Sequence, residues 1–287
     1  MFFVAGITGQ VGGATAKHLL SAGRQVRALA RDPQKAAAWA QQGVEVREGD
    51  LTRASDVAAA LQGVEGAYLM LPPEMAPERG FPKAKVVIES LREALHKAPP
   101  PRLVVLSSVG SEQTSNLGNI TSTHLLEEAL ADVPFPVAFI RAGSFFENYV
   151  FNFQMAAKTG RLDSFLAPTN RPVPMIATDD IGKEAARLLT STWTGKKIVE
   201  LGSPLSPDDL ARAMGEVLGR SVEAKAIPRE QWSSVLEHMG LQAGAGWSFE
   251  EMEDSFNSGW IHFGVPGTEP VAGTLTPAQF FAQVKRG

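Results

Sequence analysis

The sequence predicts an α/β fold, a doubly wound parallel sheet carrying a smaller, mostly helical carboxyl-terminal lobe suited to hold a substrate. Three observations carry that expectation. In the first 143 residues, short apolar runs alternate with stretches of helical periodicity six times over, and strands separated by helices pair in parallel through right-handed crossovers. The opening run Phe2-Phe3-Val4-Ala5 leads into glycines at positions 6, 9 and 12 and then into Ala14, Ala16, Leu19 and Leu20, the order strand, tight turn, helix. Beyond residue 143 the texture changes to short strand-like segments, frequent prolines and dominant helices.

In a Rossmann-type strand-to-helix turn, the first glycine permits the backbone reversal, the second lets a phosphate approach the main chain, and the third lets the helix pack on the sheet. Free N–H groups at the helix start then face an anion, and the helix dipole favours a charge there by about 0.3 to 1 kcal/mol. The spacing here is G-x-x-G-x-x-G, so the glycines alone also fit a turn that binds nothing. The next element argues for a ligand. Residues 25–30 alternate polar and apolar as a strand does and end at Arg31, where an acid would bind the ribose of NAD and an arginine suits the 2′-phosphate of NADP. Asp32-Pro33 reads as an N-cap followed by proline at the first helical position, with Lys35 in reach of the same phosphate. The other reading of Arg31 and Lys35 is a solvated helix start. The expectation is NADP(H), preferred over NAD(H).

The remaining elements follow in order. Residues 44–47 form a short third strand leading to Gly49-Asp50-Leu51, and Val57, Ala60 and Leu61 mark a helix after it. Residues 66–71 are near-continuously apolar, as a strand buried on both faces should be, and Pro72-Pro73 stops them. Ala84, Ile88, Leu91 and Leu95 recur at the spacing of an amphipathic helix. Leu103-Val104-Val105-Leu106 is a fifth strand that delivers Ser107-Ser108 to the sheet edge, a helix with Leu125, Leu126, Ala129 and Leu130 follows, and residues 136–141 form a sixth strand. Ligands of such sheets lie outside the carboxyl ends of the strands. The candidate site is therefore Gly6 to Gly12, Arg31, Asp50, Leu71 to Pro73, Ser107-Ser108 and Arg141 to Asn148.

Composition limits the function classes. The net charge of -4 gives no electrostatic reason to expect nucleic acid or an anionic membrane surface. The absence of cysteine removes disulfides, thiolate metal sites and cysteine nucleophiles. No apolar run approaches ~18 residues, so neither a leader nor a membrane span is expected, and a cytoplasmic location is. The five histidines make no metal-ligand spacing.

In the second half, strand-like segments cover residues 173–176, 198–201 and 222–227. Thr178-Asp179-Asp180-Ile181 reads as a capped helix start, and Ser206-Pro207-Asp208-Asp209 as another. Phe249, Met252, Phe256 and Trp260 are spaced as one helix face, either packed as core or forming the apolar wall of a ligand pocket.

These features together resemble the NmrA-like group of atypical short-chain dehydrogenase/reductases, which includes NADPH-dependent quinone reductases, triphenylmethane-dye reductases and redox-sensing regulators. The likeness is carried by residues 6–13, by Arg31-Asp32-Pro33-Gln34-Lys35, and by Gly43-Val44-Glu45-Val46 leading to Gly49-Asp50-Leu51. It continues through His124 with Glu127-Glu128, residues 141–148, and Thr178-Asp179-Asp180-Ile181-Gly182, spanning nearly the first two thirds of the chain in order. The resemblance implies NADPH extended over the sheet edge. Gly6, Thr8, Gly9, Gln10, Val11 and Gly12 would surround the pyrophosphate, Arg31 and Lys35 the 2′-phosphate, and Asp50 and Leu51 the adenine. Leu71 and Pro72 would lie by the ribose, and Gly143, Ser144 and Phe145 by the nicotinamide. Asp50 also reads as a turn residue capping the next helix, and Leu71-Pro72-Pro73 as a plain strand stop. The family's lobes interleave, so residues 1–143 with 173–202 are assigned to the dinucleotide-binding domain, and 144–172 with 203–287 to the substrate lobe.

Ordinary short-chain dehydrogenases use a tyrosine four residues before a lysine as general acid. Here His124 takes the lysine-like place and Ile120 stands four residues earlier, so no phenol is available. Of the two tyrosines, Tyr68 falls inside a strand and Tyr149 follows the nicotinamide-side motif. A quinone or an extended conjugated cation accepts hydride without a strong acid, which makes a small conjugated acceptor the expected substrate. Ser107, His124 and Tyr149 are the candidate hydrogen-bond donors to it; Ser107 and His124 also border the cofactor, and His124 reads equally as a capping or ribose-contacting residue. The rival expectation is an NADP(H)-sensing regulatory protein without turnover. The chain is expected to act as a monomer or homodimer.

Overall fold

The computed structural model describes residues 1–286. The first half runs β1 (Phe2–Val4), α1 (Gln10–Ser21), β2 (Val26–Ala30), α2 (Ala37–Gln41), β3 (Glu45–Glu48), α3 (Ala54–Leu61), β4 (Gly66–Leu69), α4 (Pro82–Lys97), β5 (Leu103–Ser108), α5 (Thr121–Ala129) and β6 (Val137–Ala142). It continues through β7 (Ser144–Phe145), α6 (Val150–Thr159), β8 (Arg161–Ser164), β9 (Val173–Ile176), α7 (Thr178–Thr190), β10 (Lys196–Leu201) and β11 (Ser203–Leu205). The last elements are α8 (Pro207–Leu218), β12 (Glu223–Ala226), α9 (Trp232–His238), α10 (Trp247–Ser258), β13 (Glu269–Val271) and α11 (Pro277–Arg286).

Eight strands form one sheet in the order β13-β10-β6-β5-β4-β1-β2-β3, and every pairing in it is parallel. The chain winds outward in both directions from the β1/β4 pair, so the crevice beyond their carboxyl ends is the topological switch point where a ligand sits. Strand alternation divides the core into two layers. Phe2, Val4, Val26, Tyr68, Val104 and Ile140 face α1 and α7, while Phe3, Ala5, Leu69, Leu103, Val105 and Phe139 face α3, α4 and α5. Tyr68 is wholly buried, and burial pushes its phenol up, so it is a core residue.

Residues 173–176 pair with β7 and β11 in a separate three-stranded sheet. β10 does join the large sheet, beside β6. β13 was not anticipated as a strand: it brings the carboxyl-terminal region back to the large sheet's edge, where Pro270 is tolerated because an edge strand has a free side. A third cluster, built from Phe146, Phe153, Leu162, Met175, Leu210, Met214, Phe280 and Phe281, forms the core of the second lobe, with Phe153 stacked on Phe281 at 5.0 Å.

Caps separate what is local from what is not. α8 has the expected capping box, the Ser206 hydroxyl accepting from the Asp209 N–H and the Asp209 carboxylate accepting from the Ser206 N–H. α7 does not cap itself. Glu147, more than thirty residues earlier in the chain, accepts from the Thr178 N–H at 3.0 Å and from its hydroxyl at 2.6 Å. Asp180 instead accepts from the N–H groups of Thr274 and Leu275, tying down the segment before α11.

α1 and α7 lie against each other because Gly182 has no side chain: a Cβ there would meet the Cβ of Ala14 and stand 2.6 Å from its carbonyl carbon. The expected result for Gly182→Ala is a loss of about 1 to 3 kcal/mol in unfolding free energy, read as a lower urea midpoint with unchanged slope.

Candidate active site

The β1–α1 turn is built on close backbone contacts. Gly6 has φ +66°, which favours glycine, and its carbonyl accepts from the Gly9 N–H at 2.9 Å. Gly12 sits directly on the strand end: a Cβ would collide with the Gly6 carbonyl oxygen and stand 2.6 Å from that of Ala5. Gly9 is the N-cap of α1, no side chain caps the helix, and its first turn carries no acid. Thr8, Gly9 and Gln10 are exposed while Val11 and Gly12 are buried. The helix start therefore offers its N–H groups and positive end to solvent, with nothing of its own to neutralise them. Met70, just past β4, covers this turn, its Sδ 2.9 Å from where a Gly6 Cβ would be.

At the end of β2, Arg31 and Lys35 are both exposed. Asp32 caps the 3-10 turn over Pro33–Ala36 by accepting from the Gln34 N–H at 3.0 Å. Asp50 lies across from Arg31. Its carboxylate accepts from the Thr52 N–H, which, with the charges of Arg31 and Arg53, holds it below the usual carboxylate range. Its own N–H donates to Asp56, so Asp50 forms the turn into α3 while staying half-buried beside Arg31. Leu71 packs on the α3–α4 layer, and Pro72 is exposed at the rim.

Beyond β5 and β6 the edge is occupied by a buried polar cluster. Ser107 donates to Glu127 at 2.5 Å, and Glu127 accepts a forked pair from Arg141 at 3.0 and 2.8 Å. Arg141 also donates to Glu112 at 2.9 Å. Ser107, Glu127 and Arg141 are all nearly inaccessible to solvent. Removing one partner of such a pair costs about 3 to 5 kcal/mol, so the cluster locks α5 and the loop after β5 to the two strand ends. The Ser107 hydrogen is thereby committed to Glu127.

His124 lies on α5 with its Nδ1 2.9 Å from the Ser111 carbonyl and its Nε2 3.4 Å from Glu128. Its Nδ1 is thereby engaged by the protein, while Nε2 faces the exposed Glu128. Gly143 is needed for packing, since a Cβ would collide with the Pro174 carbonyl on β9. Ser144 and Phe145 are half-buried immediately beyond it, and Glu147, within the candidate range Arg141 to Asn148, caps α7. Burial, with the Glu253 charge, pushes the Tyr149 phenol up. Glu253 was not among the sequence candidates. Its signal was an acid in the middle of the aromatic helix face, four residues after Phe249 and three before Phe256.

That face is mainly core. Phe249 meets Phe165 edge-on at 5.0 Å, and Met252 and Phe256 pack against Val109, Leu117, Ile120 and Ile261, while Trp260 lies past the helix end and is exposed. Among the described residues there is no cluster of histidine, cysteine and carboxylate side chains able to hold a metal, and no helix long and apolar enough to cross a membrane.

The donor set fits a phosphorylated dinucleotide. A glycine cradle that Cβ atoms would fill, an uncapped helix start and an exposed arginine past the second strand are arranged in the order pyrophosphate, ribose 2′-position along the sheet edge.

Comparison with known proteins agrees with this geometry. The chain is 27% identical over 249 residues to Quinone oxidoreductase 2 of Escherichia coli (strain K12), covering 85% of this chain and 84% of that protein. It is 25% identical over 288 residues to the NAD(P)H azoreductase of Xenophilus azovorans, covering 99% of this chain and 96% of the relative. The crystal structure of the Escherichia coli NADPH-dependent quinone oxidoreductase complexed with NADPH superposes with a TM-score of 0.81 at 23% identity, covering 100% of this chain and 99% of that one. The triphenylmethane reductase of Citrobacter sp. complexed with NADP(H) gives 0.77 at 21% identity and 93% coverage of both chains. The model of the NmrA-like family matches residues 2–261, and with the fold and the dinucleotide cradle in agreement, this chain belongs to the NmrA-like family.

Proposed function

We propose that this protein is an NADPH-dependent oxidoreductase that reduces a small conjugated acceptor, a quinone or a molecule of similar electronic character. The observation that carries the reading is the uncapped, acid-free start of α1 set on a glycine cradle, with Arg31 exposed past the neighbouring strand. The relatives named above are reductases of quinones, azo compounds and triphenylmethane dyes, which share extended conjugation.

Gly6, Thr8, Gly9, Gln10, Val11 and Gly12 would hold the pyrophosphate through backbone N–H groups, and Arg31 with Lys35 the 2′-phosphate. Asp50 and Leu51 would border the adenine, Leu71 and Pro72 the ribose, and Gly143, Ser144 and Phe145 the nicotinamide. When bound, NADPH supplies a hydride at the carboxyl edge of the sheet. The protein's part is to place the acceptor against that edge, a proximity effect that substitutes for covalent chemistry. Ser107, bonded to Glu127, and His124, with Nδ1 against the Ser111 carbonyl, would stand as further donors at the wall of the site. Tyr149, just past the Gly143–Phe145 segment, would be a further donor to the acceptor.

Residues 1–143 with α7 and β10 would form the cofactor-binding domain, and the second-lobe core around Phe146, Phe153 and Phe281 would support the acceptor side. A cofactor sensor without turnover is the other expectation; the relatives' names give it no support.

Purified protein mixed with NADPH and a panel of quinones should consume the cofactor in an acceptor-dependent way, read at the nicotinamide absorbance. No consumption with any acceptor removes the enzymatic reading. Arg31→Glu should weaken NADPH binding by about 10- to 100-fold, the worth of charge-assisted hydrogen bonds to a phosphate, while changing NADH binding far less. Fluorescence titration with the two nucleotides checks it.

A further inference from the structure

We infer that residues 71–81 form a strap that closes over the bound dinucleotide, and that Trp247 on α10 is the latch that sets how fast the cofactor leaves; the inference rests on the oxidoreductase reading above. β4 ends at Leu69 and α4 begins at Pro82, and neither helix nor strand lies between them. Connections in compact domains usually run about 4 to 6 residues, and longer ones without regular structure commonly serve as active-site lids. This one leaves the sheet at the carboxyl end of β4, beside β1, at the switch point where the dinucleotide edge lies. Leu71 packs on the α3–α4 layer at its start, and most of residues 72–80 are exposed.

The strap is fastened at its far end by a side chain from a distant part of the sequence. Trp247, the first residue of α10, donates its indole N–H to the Pro77 carbonyl at 3.1 Å. Phe81 meets the same side chain edge-on with ring centroids 5.8 Å apart, and the Arg79 guanidinium lies over it at 4.4 Å. Alternate residues of the strap thus converge on one indole. Pro77 and Phe81 are buried there, while Glu78, Arg79 and Gly80 stay exposed. The strap's ion pair to the start of α4, Lys83 with Glu74 at 2.8 Å, is a weak tie because the Lys83 side chain is largely in solvent.

The backbone at the latch is strained. Gly80 has φ +80° and Phe81 φ +54°, so a bulky residue stands in the left-handed region directly after a glycine. Such a conformation persists only where its surroundings hold it, and here the Phe81 ring is held against Trp247. Freed from the indole, Phe81 loses the contact that offsets its strain, and the Gly80–Phe81 pair can rotate back to an extended conformation. The Leu71 end then stays with the α3–α4 layer while residues 72–80 swing away from the crevice. α10 does not follow. Gly118 lies directly on its backbone, where a Cβ would collide with the Ser248 carbonyl, and Glu251 accepts from the Gly118 N–H at 2.9 Å. Trp247 is therefore a fixed post and the strap is the moving part, which puts control of cofactor release in the carboxyl-terminal region, apart from the groups that bind phosphate.

The test joins tryptic cleavage of the Arg79–Gly80 bond with the rate of NADPH release. Trypsin needs the Arg79 side chain, which lies on Trp247, so it cuts this bond from the unlatched state, and cleavage here relative to other tryptic bonds reads the unlatched population. Saturating NADPH should slow this cleavage in wild type by at least about tenfold, since a ligand at about 100 times its Kd shifts a coupled opening by up to about 100-fold. Trp247→Phe keeps a ring against Phe81 and loses the indole N–H. Without cofactor it should raise cleavage at Arg79–Gly80 by about 2- to 10-fold, the worth of one net hydrogen bond, and leave the other bonds unchanged. It should speed NADPH dissociation by the same factor, followed by nicotinamide fluorescence on displacement with excess NADP⁺. Arg79→Gln, a change at an exposed side chain, should speed dissociation by about 2- to 5-fold, the worth of a surface cation–π contact. Unchanged release in both variants, or cleavage at Arg79–Gly80 that bound NADPH does not slow, overturns the inference and leaves the oxidoreductase reading in place. Faster cleavage at all bonds alike in Trp247→Phe also overturns it, because the indole is then a packing group only. Failure of the wild type to bind NADPH overturns that reading and this inference with it.

Discussion

The structure depends on one steric constraint, the contact of Gly12 with the carbonyl oxygens of Ala5 and Gly6. Because no side chain intervenes, α1 begins on top of the β1 carboxyl end, and the unpaired N–H groups of its first turn are aimed along the sheet edge. The same helix is then pressed onto α7 through Gly182 and Ala14. α7 is capped by Glu147 from the turn after β7, and through Asp180 it holds the segment that leads to α11. One absent methyl group thus sets the direction of the anion-binding helix and, through its neighbour, the seating of the second lobe.

A second constraint acts at the opposite end of the site. The Arg141 guanidinium is buried among Glu127 and Glu112, with Ser107 hydrogen-bonded to Glu127 and to the Ser111 hydroxyl. Such clusters contribute little net stability compared with a well-packed apolar equivalent, but they are intolerant of partial loss. Their effect here is positional: the loop after β5, α5 and the β6 end cannot move independently. Ser107, a candidate donor in the sequence, is one of the groups this cluster fixes.

Local sequence determined a great deal. Alternating apolar runs and the glycine spacing made the parallel sheet and the tight β1–α1 turn at its carboxyl edge legible, because strand periodicity and turn sterics are properties of a few consecutive residues. The capping box at Ser206 was legible for the same reason. The return of Glu269–Val271 to the large sheet, the pairing of Val173–Ile176 in the small one, the Glu147 cap on α7 and the engagement of Ser107 by Glu127 were not. Each joins residues 20 or more positions apart in the chain, and a residue's partners at that distance depend on how whole layers pack. Glu253 shows the division most directly. The sequence says only that an acid interrupts an aromatic face; the fold, by packing Phe249 edge-on against Phe165, decides that one of its carboxyl oxygens is removed from solvent without a hydrogen-bond partner.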